Sequence, residues 1–340
     1  MNKHLKEYSN TLRQTLLQWL WREWTALGVA GASPIEAHNV IDPEALLLFT
    51  GTMGRWDPRL FDEVMDWLAT NGRLLNGPRL KRLIHESDGA SGRVVAAISS
   101  VLPGKGQRLD WKIAPAASRP EEALFYGVDD SPLPDYGTRD PDFLAQGFRR
   151  GRMELRHYSK QPDPGRPACL WLTLRSLFGI NCRAEIMLYL LTNASGYPSQ
   201  IARNTGYTQR NIQNVMVDLA ASGQLRTTRK GREVQYRLAS PLWKELLLGA
   251  QEPPAWVLWP AVLRALEVVW LRVCDKKFKT LSESAQAGEL FLLMQHIRPL
   301  LERADIAHLV TPERHGLGSD YCATFIRDMD TILKQTGIAE

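Results

Sequence analysis

Between residues 183 and 238 the hydrophobic period of the chain changes once from helical to alternating, and no other feature restricts its fold as much. Arg183 to Asn193 reads as a helix with a broad apolar side of Ile186, Met187, Leu190 and Leu191, broken by Gly196. Pro198 opens a short second helix with Ser199 as its expected N-cap and Ile201, Ala202 and Thr205 facing inward. Gly206 supplies the tight turn that follows. Thr208 caps a third helix running to about Ser222, whose inner face is Ile212, Val215, Met216 and Leu219. Gly223 stops it, where a left-handed residue is favoured. The alternation begins directly afterwards, with strands expected at Leu225–Arg229 and Glu233–Leu238 and a bend at Lys230-Gly231.

Helix, helix, turn, helix and hairpin in this order and at these lengths is the winged-helix variant of helix-turn-helix. The outer face of its third helix carries Thr208, Gln209, Arg210, Asn211, Gln213 and Asn214, and none is acidic. Asn and Gln bond two adenine edge atoms at once, Arg does so with guanine, and the first turns of a recognition helix enter the major groove. Arg226, Arg229, Lys230 and Arg232 on the hairpin suit phosphates or a neighbouring minor groove. With Ser199 at the start of the second helix, these residues form the expected DNA-binding set. The formal charge of the chain is +5, and residues 183–238, with eight basic and three acidic side chains, hold all of it. A local basic excess inside a neutral scaffold is what a polyanion-binding module requires. A solvated polar face with a charged hairpin tip is the bland alternative; amide and Arg clustering on top of the local charge favours DNA.

The stretch Leu177 to Leu191, with Ile201–Tyr207 and Gln209–Gly223, resembles the winged-helix regulators of the ArsR and MarR type. The likeness covers only about 65 residues, less than a fifth of the chain. It implies transcriptional control by a homodimer on an inverted repeat of double-stranded DNA. The chain departs from the family in its long flanking helical regions. It also lacks the paired cysteines of metal-sensing members, so metal sensing is not carried over. Because some ArsR-like proteins neighbour minimal nucleotidyltransferases, the alternative is a protein-interaction or antitoxin-like module in a toxin–antitoxin or defence system, holding a protein partner.

The rest of the chain reads as mainly α. An N-terminal helical domain is expected over 1–86, with Leu12, Leu16, Trp19, Leu20, Trp24 and Leu27 at helical spacing and Asp42-Pro43 and Asp57-Pro58 as helix starts. Residues 87–168, rich in Pro and Gly, read as an interdomain connection running along the surface, and the winged helix is bounded at 169–250. A C-terminal helical region at 255–340 offers three apolar faces, around Val262–Val273, Leu290–Ile297 and Phe325–Leu333, which are expected to dimerise. No apolar run spans a bilayer and no export signal is legible, so the cytoplasm is expected and a membrane partner is not. Four isolated cysteines and scattered histidines give no metal site, and no cofactor is implied. No nucleophile–base arrangement is legible, so the expectation is a regulator and not an enzyme. Gly318-Ser319 with Asp328 and Asp330 superficially matches a nucleotidyltransferase pattern, but a helix puts the two aspartates on different faces. Gly104-Lys105-Gly106 lacks P-loop spacing, and Arg149-Arg150-Gly151-Arg152 reads as a solvated cluster.

Overall fold

A computed structural model describes residues 3–33, 35–87, 91–102, 121–312 and 321–340. The fold is mainly α. Along the N-terminal part lie α1 (Lys3–Ala26), α2 (Pro43–Met53), α3 (Pro58–Asn71), α4 (Gly77–Glu86) and α5 (Ser91–Val101). A sparse segment follows, with strand β1 (Glu122–Ala123), helix α6 (Pro141–Ala145) and strand β2 (Phe148–Arg149). Next come α7 (Leu170–Phe178), α8 (Cys182–Thr192), α9 (Pro198–Thr205), α10 (Gln209–Ala221), β3 (Leu225–Lys230), β4 (Glu233–Leu238) and α11 (Leu242–Leu248). The chain ends with α12 (Trp259–Val273), α13 (Lys276–Thr280), α14 (Glu283–Arg303) and α15 (Tyr321–Gln335). Among the described residues no helix is long and apolar enough to cross a membrane.

Local chemistry sets the helix starts. Asp42, Asp57 and Asn76 each accept a hydrogen bond from the N–H three residues on, at 3.0, 2.9 and 3.0 Å, with proline in the first turn behind them. Such a cap satisfies one orphan donor and is worth about 1 kcal/mol. The three apolar faces expected to dimerise are instead buried within one chain. Helices from both ends share a single core in which Trp24, Trp67, Trp270 and Phe325 are fully buried. Indole nitrogens find partners inside it: Trp24 donates to Thr50 Oγ1 at 2.9 Å and Trp67 to the Leu27 carbonyl at 2.7 Å. The expected N- and C-terminal units are therefore one body, because each supplies the apolar surface that the other lacks.

Residues 121–168 are irregular, as their composition suggests, yet they belong to that body rather than run over it. Leu124, Phe143 and Phe148 are fully buried in the shared core. Arg55 clamps the segment by donating to the Leu124 and Ala123 carbonyls at 2.9 Å each. Arg150 is buried and not solvated: it donates to Asp62 Oδ1 at 2.8 Å and lies over the rings of Phe125 and Phe143. The 91–101 stretch is likewise a helix packed into the core beside α2. Gly104-Lys105-Gly106 and Gly318-Ser319 lie outside the described residues.

The region 170–248 is organised by α8, whose run from Ala184 to Leu191 is buried throughout because both of its faces are covered. Ala184, Met187, Leu188 and Leu191 pack with Leu170, Trp171 and Leu174 of α7 and Leu248 of α11. Ile186, Tyr189 and Leu190 pack with Ile201 and Ala202 of α9, Ile212 and Met216 of α10, and Leu225 and Tyr236 of the hairpin. A helix hydrophobic all round is the expected form of an element buried on two sides.

Candidate nucleic-acid interface

Helices α9 and α10 are joined by a three-residue turn whose geometry rests on Gly206 at φ +74°. Tyr197 is the N-cap residue of α9 and Pro198 its first helical residue, which corrects the expected cap at Ser199; the reason is that proline at N1 fixes the start one step earlier. The Gln200 side chain accepts from the Tyr197 N–H at 3.1 Å, and Ser199 sits half-buried in the first turn. Thr208 caps α10 as expected from the sequence, accepting from the Asn211 N–H at 3.3 Å.

Helix α10 buries Ile212 and Met216 and leaves Gln209, Arg210, Asn211, Gln213 and Asn214 exposed. None of these five side chains has a hydrogen bond or ion pair among the described residues, so their donors and acceptors are uncommitted. They crowd the end of the helix where the backbone N–H groups and the positive end of the dipole favour an anion.

The hairpin pairs Leu225 with Leu238 and ends with Lys230 opposite Glu233, so its two-residue turn is Gly231-Arg232. The bend is one residue later than the sequence suggests, because Gly231 takes a positive φ of +62° at the first turn position. The register separates the basic residues that the sequence groups together. Arg226 lies directly opposite Arg237, and both line a cleft with Lys244, whose Nζ meets Glu252 at 3.0 Å. Arg229 shares the other face with Val234, and Arg232 is at the tip; both are exposed. Lys230 ends β3, and its side chain lies outside the described residues. Arg237 and Lys244 are absent from the expected set; the alternation of a six-pair hairpin would have placed Arg237 beside Arg226.

Behind this surface, a buried ion network ties α8 to the body. Arg175 of α7 meets Glu44 at 2.6 and 3.0 Å and Glu185 of α8 at 3.1 Å. Arg79 of α4 meets Glu44 at 2.7 Å and the capping Asp42 at 2.6 Å. Both guanidiniums lie over the Trp171 ring, Arg79 at 4.8 Å and Arg175 at 4.9 Å from its centroid. Burial pushes the Glu44 carboxyl up, but the two arginines and the Asn76 N–H more than offset it and hold it below the ordinary range. Burial also pushes Glu185 up, and there Arg175 and Arg79 offset only part of the rise. Glu185 is buried against Arg175 and so is not part of the exposed surface around α10.

A second tie reaches the turn itself. Arg82 of α4 donates to the Gly206 carbonyl and, at 3.3 Å, to that of Thr205, while Asn76 donates to the Tyr207 hydroxyl at 3.3 Å. Gly206 takes a positive φ that side-chain-bearing residues rarely adopt, and a Cβ there would displace the end of the Arg82 side chain. Sequence reasoning missed these ties, since the partners lie 124 and 131 residues apart.

Trp19 and Trp24 are core residues, and Trp21 donates to the capping Asp57 at 2.8 Å. Asp328 is buried and accepts from the Thr311 N–H and hydroxyl at 2.9 and 2.7 Å, whereas Asp330 is exposed. Among the described residues no group of three or more His, Cys, Asp or Glu side chains is placed to hold a metal ion. No protein-family model, curated protein or solved structure matches the chain.

Proposed function

We propose that residues 182–238 are a winged helix of ArsR or MarR type that binds double-stranded DNA, and that the protein is a transcriptional regulator. The observation that carries the reading is the uncommitted face of α10, where Gln209, Arg210, Asn211, Gln213 and Asn214 stand exposed without intramolecular partners. Their chemistry matches the base edges of a major groove, and the helix that bears them is held from behind. Arg226, Arg229, Arg232 and Arg237 add positive charge with no ion-pair partner among the described residues. Phosphate contacts of these side chains give most of the affinity and make it salt-dependent. The amides and Arg210 give the sequence choice.

Two copies on an inverted repeat are part of this reading, but the apolar faces of the flanking helices do not support it, being buried within the chain. The number of chains per duplex is set instead by the symmetry of the bound sequence.

Selection of bound sequences from a random duplex pool, followed by Arg210→Ala on the selected site, tests the proposal. The substitution is expected to weaken the selected site by about 1–3 kcal/mol and to relax the preference at one position. Equal loss on selected and random duplexes would remove Arg210 from sequence reading, and a pool with no enrichment would end the proposal.

A further inference from the structure

One cavity of about 260 Å³ opens between α2, α4, α12 and α14, walled by Leu48, Phe49, Leu83, Leu263 and Leu300. Four charged side chains border it, and they are already paired two by two. Arg264 meets Glu267 at 2.7 Å, and the other oxygen of Glu267 accepts from Thr52 at 2.5 Å. Arg303 meets Glu86 at 3.7 Å. The Arg264–Glu267 pair is largely buried, so a charged guest that broke it would lose more than it gained, whereas Arg303 and Glu86 stand exposed at the rim. A cavity of 150 Å³ accepts benzene, so this one fits a guest of roughly ten to fifteen non-hydrogen atoms.

The position of the cavity matters as much as its lining. Leu83 and Glu86 belong to α4, and the same helix sends Arg82 to the Gly206 and Thr205 carbonyls of the turn before α10. Glu86 stands between the two sites: one oxygen lies 3.7 Å from Arg303 at the cavity and the other 3.7 Å from Arg82. A guest that moves Arg303 or Leu83 changes the hold of Arg82 on the turn, through contacts and without a long path.

We propose that this cavity binds an uncharged, two-ring-sized aromatic or alicyclic molecule and that its occupation is relayed by α4, through Arg82, to the turn that positions α10. The binding half stands by itself. The regulatory meaning rests on the DNA-binding reading above.

The full-length protein is titrated with the uncharged two-ring fluorophore 2-naphthol and, separately, with its sulfonated analogue 6-hydroxynaphthalene-2-sulfonate. Expected are one saturable site for the neutral probe, affinity at least tenfold lower for the sulfonate, and loss of at least tenfold for the neutral probe in Leu300→Trp and Leu48→Phe. Hydrogen exchange on the wild-type protein gives the same test without a variant, with slowed amides in α4, α12 and α14 on saturation. Exchange at residues 203–211 is expected to change on saturation, and Arg82→Ala is expected to abolish that change while keeping the probe affinity within twofold. Absence of a saturable site, preference for the sulfonate, or equal affinity in folded Leu300→Trp and Leu48→Phe would overturn the site. A bound probe that leaves residues 203–211 unaltered would overturn the relay. Probe binding with an altered turn in a protein that binds no duplex would support this inference and sink the DNA reading, so the two fail separately.

Discussion

Arg175→Met isolates the buried junction between the α10-bearing region and the body. The wild-type guanidinium contacts Glu44 at 2.6 and 3.0 Å, Glu185 at 3.1 Å and the Leu74 carbonyl at 3.3 Å. Methionine keeps most of the volume and the packing against Trp171 but removes the charge. The loss falls unequally on the two carboxylates. Glu44 retains Arg79 at 2.7 Å and the Asn76 N–H at 2.7 Å. Glu185 keeps no direct cationic contact, and its second oxygen has no hydrogen-bond partner to begin with. Breaking a buried pair from one side costs about 3–5 kcal/mol. The sign of the pH dependence follows from both acids. Glu185, raised by burial, binds its proton more tightly in the folded state, so ionising it above the ordinary carboxylate range removes stability. Glu44, held below that range by its arginines, adds stability above the range that is lost as pH falls, and the variant forfeits part of it. Both effects make the defect largest near pH 8 and smaller toward pH 5. Urea unfolding followed by far-UV circular dichroism at the two pH values measures it, and adding Glu185→Gln is expected to recover about 1–3 kcal/mol by removing the orphaned charge. A loss under about 1 kcal/mol at pH 8, or one that Glu185→Gln deepens, would refute the assignment of the network as the junction.

Other consequences concern the hairpin and α1. Arg226 and Arg237 are directly opposed like charges, so Arg226→Ala is expected to leave stability unchanged or raise it by up to about 0.5 kcal/mol. The same change should weaken duplex binding and lower the slope of log affinity against log salt by about one, as a salt titration would register. Burial pushes Glu23 up to about 7 against the pull of Arg22, so it is stabilising to keep it protonated, and stability falls as pH rises from 4.5 through 7. Glu23→Gln is therefore expected to stabilise the protein by up to about 3 kcal/mol at pH 8 and by little at pH 4.5, which paired thermal melts would check.

What the sequence makes legible here is local. Caps at Asp42, Asp57 and Thr208, the glycine turn at 206 and the change of period after Gly223 all act over three or four residues, and each is present in the structure. The exposed set Gln209–Asn214 follows from the same periodicity, since Ile212 and Met216 fix which face is inside. What is not legible depends on pairing across long separations. Composition marks 121–168 as loop, and its backbone is indeed irregular, but nothing local announces that Phe143 and Phe148 are core residues, the first under Arg150 and the second under Arg55 and Arg93. Nothing local marks Arg79, Arg82 and Arg175 as partners of carboxylates and carbonyls far away in the chain. One signal was available: Glu185 is a lone acid within the otherwise apolar run Ala184–Leu191 of α8, and a buried charge requires a partner.

That two-sided helix also determines what kind of DNA-binding unit this would be. An isolated 182–238 segment would expose Met187, Leu188 and Leu191 and leave Glu185 without Arg175. Exposing each of these large side chains forfeits about 1.5–3 kcal/mol, and three of them together consume most of the stability of a small domain. The segment is therefore not a module attached by a linker; its first helix is part of two cores at once. The orientation of α10 is set by α8 on one side and, at its leading turn, by Arg82 of α4 on the other. A reading helix held in this way cannot search for its groove independently of the body. Small displacements of α4 or α7 must either be absorbed at the turn around Gly206 or carried into the angle of α10, because close-packed elements shift between discrete arrangements rather than deform smoothly. The body is then the natural place for any signal to act, and α4, which borders both the cavity and the turn, is the shortest route between them.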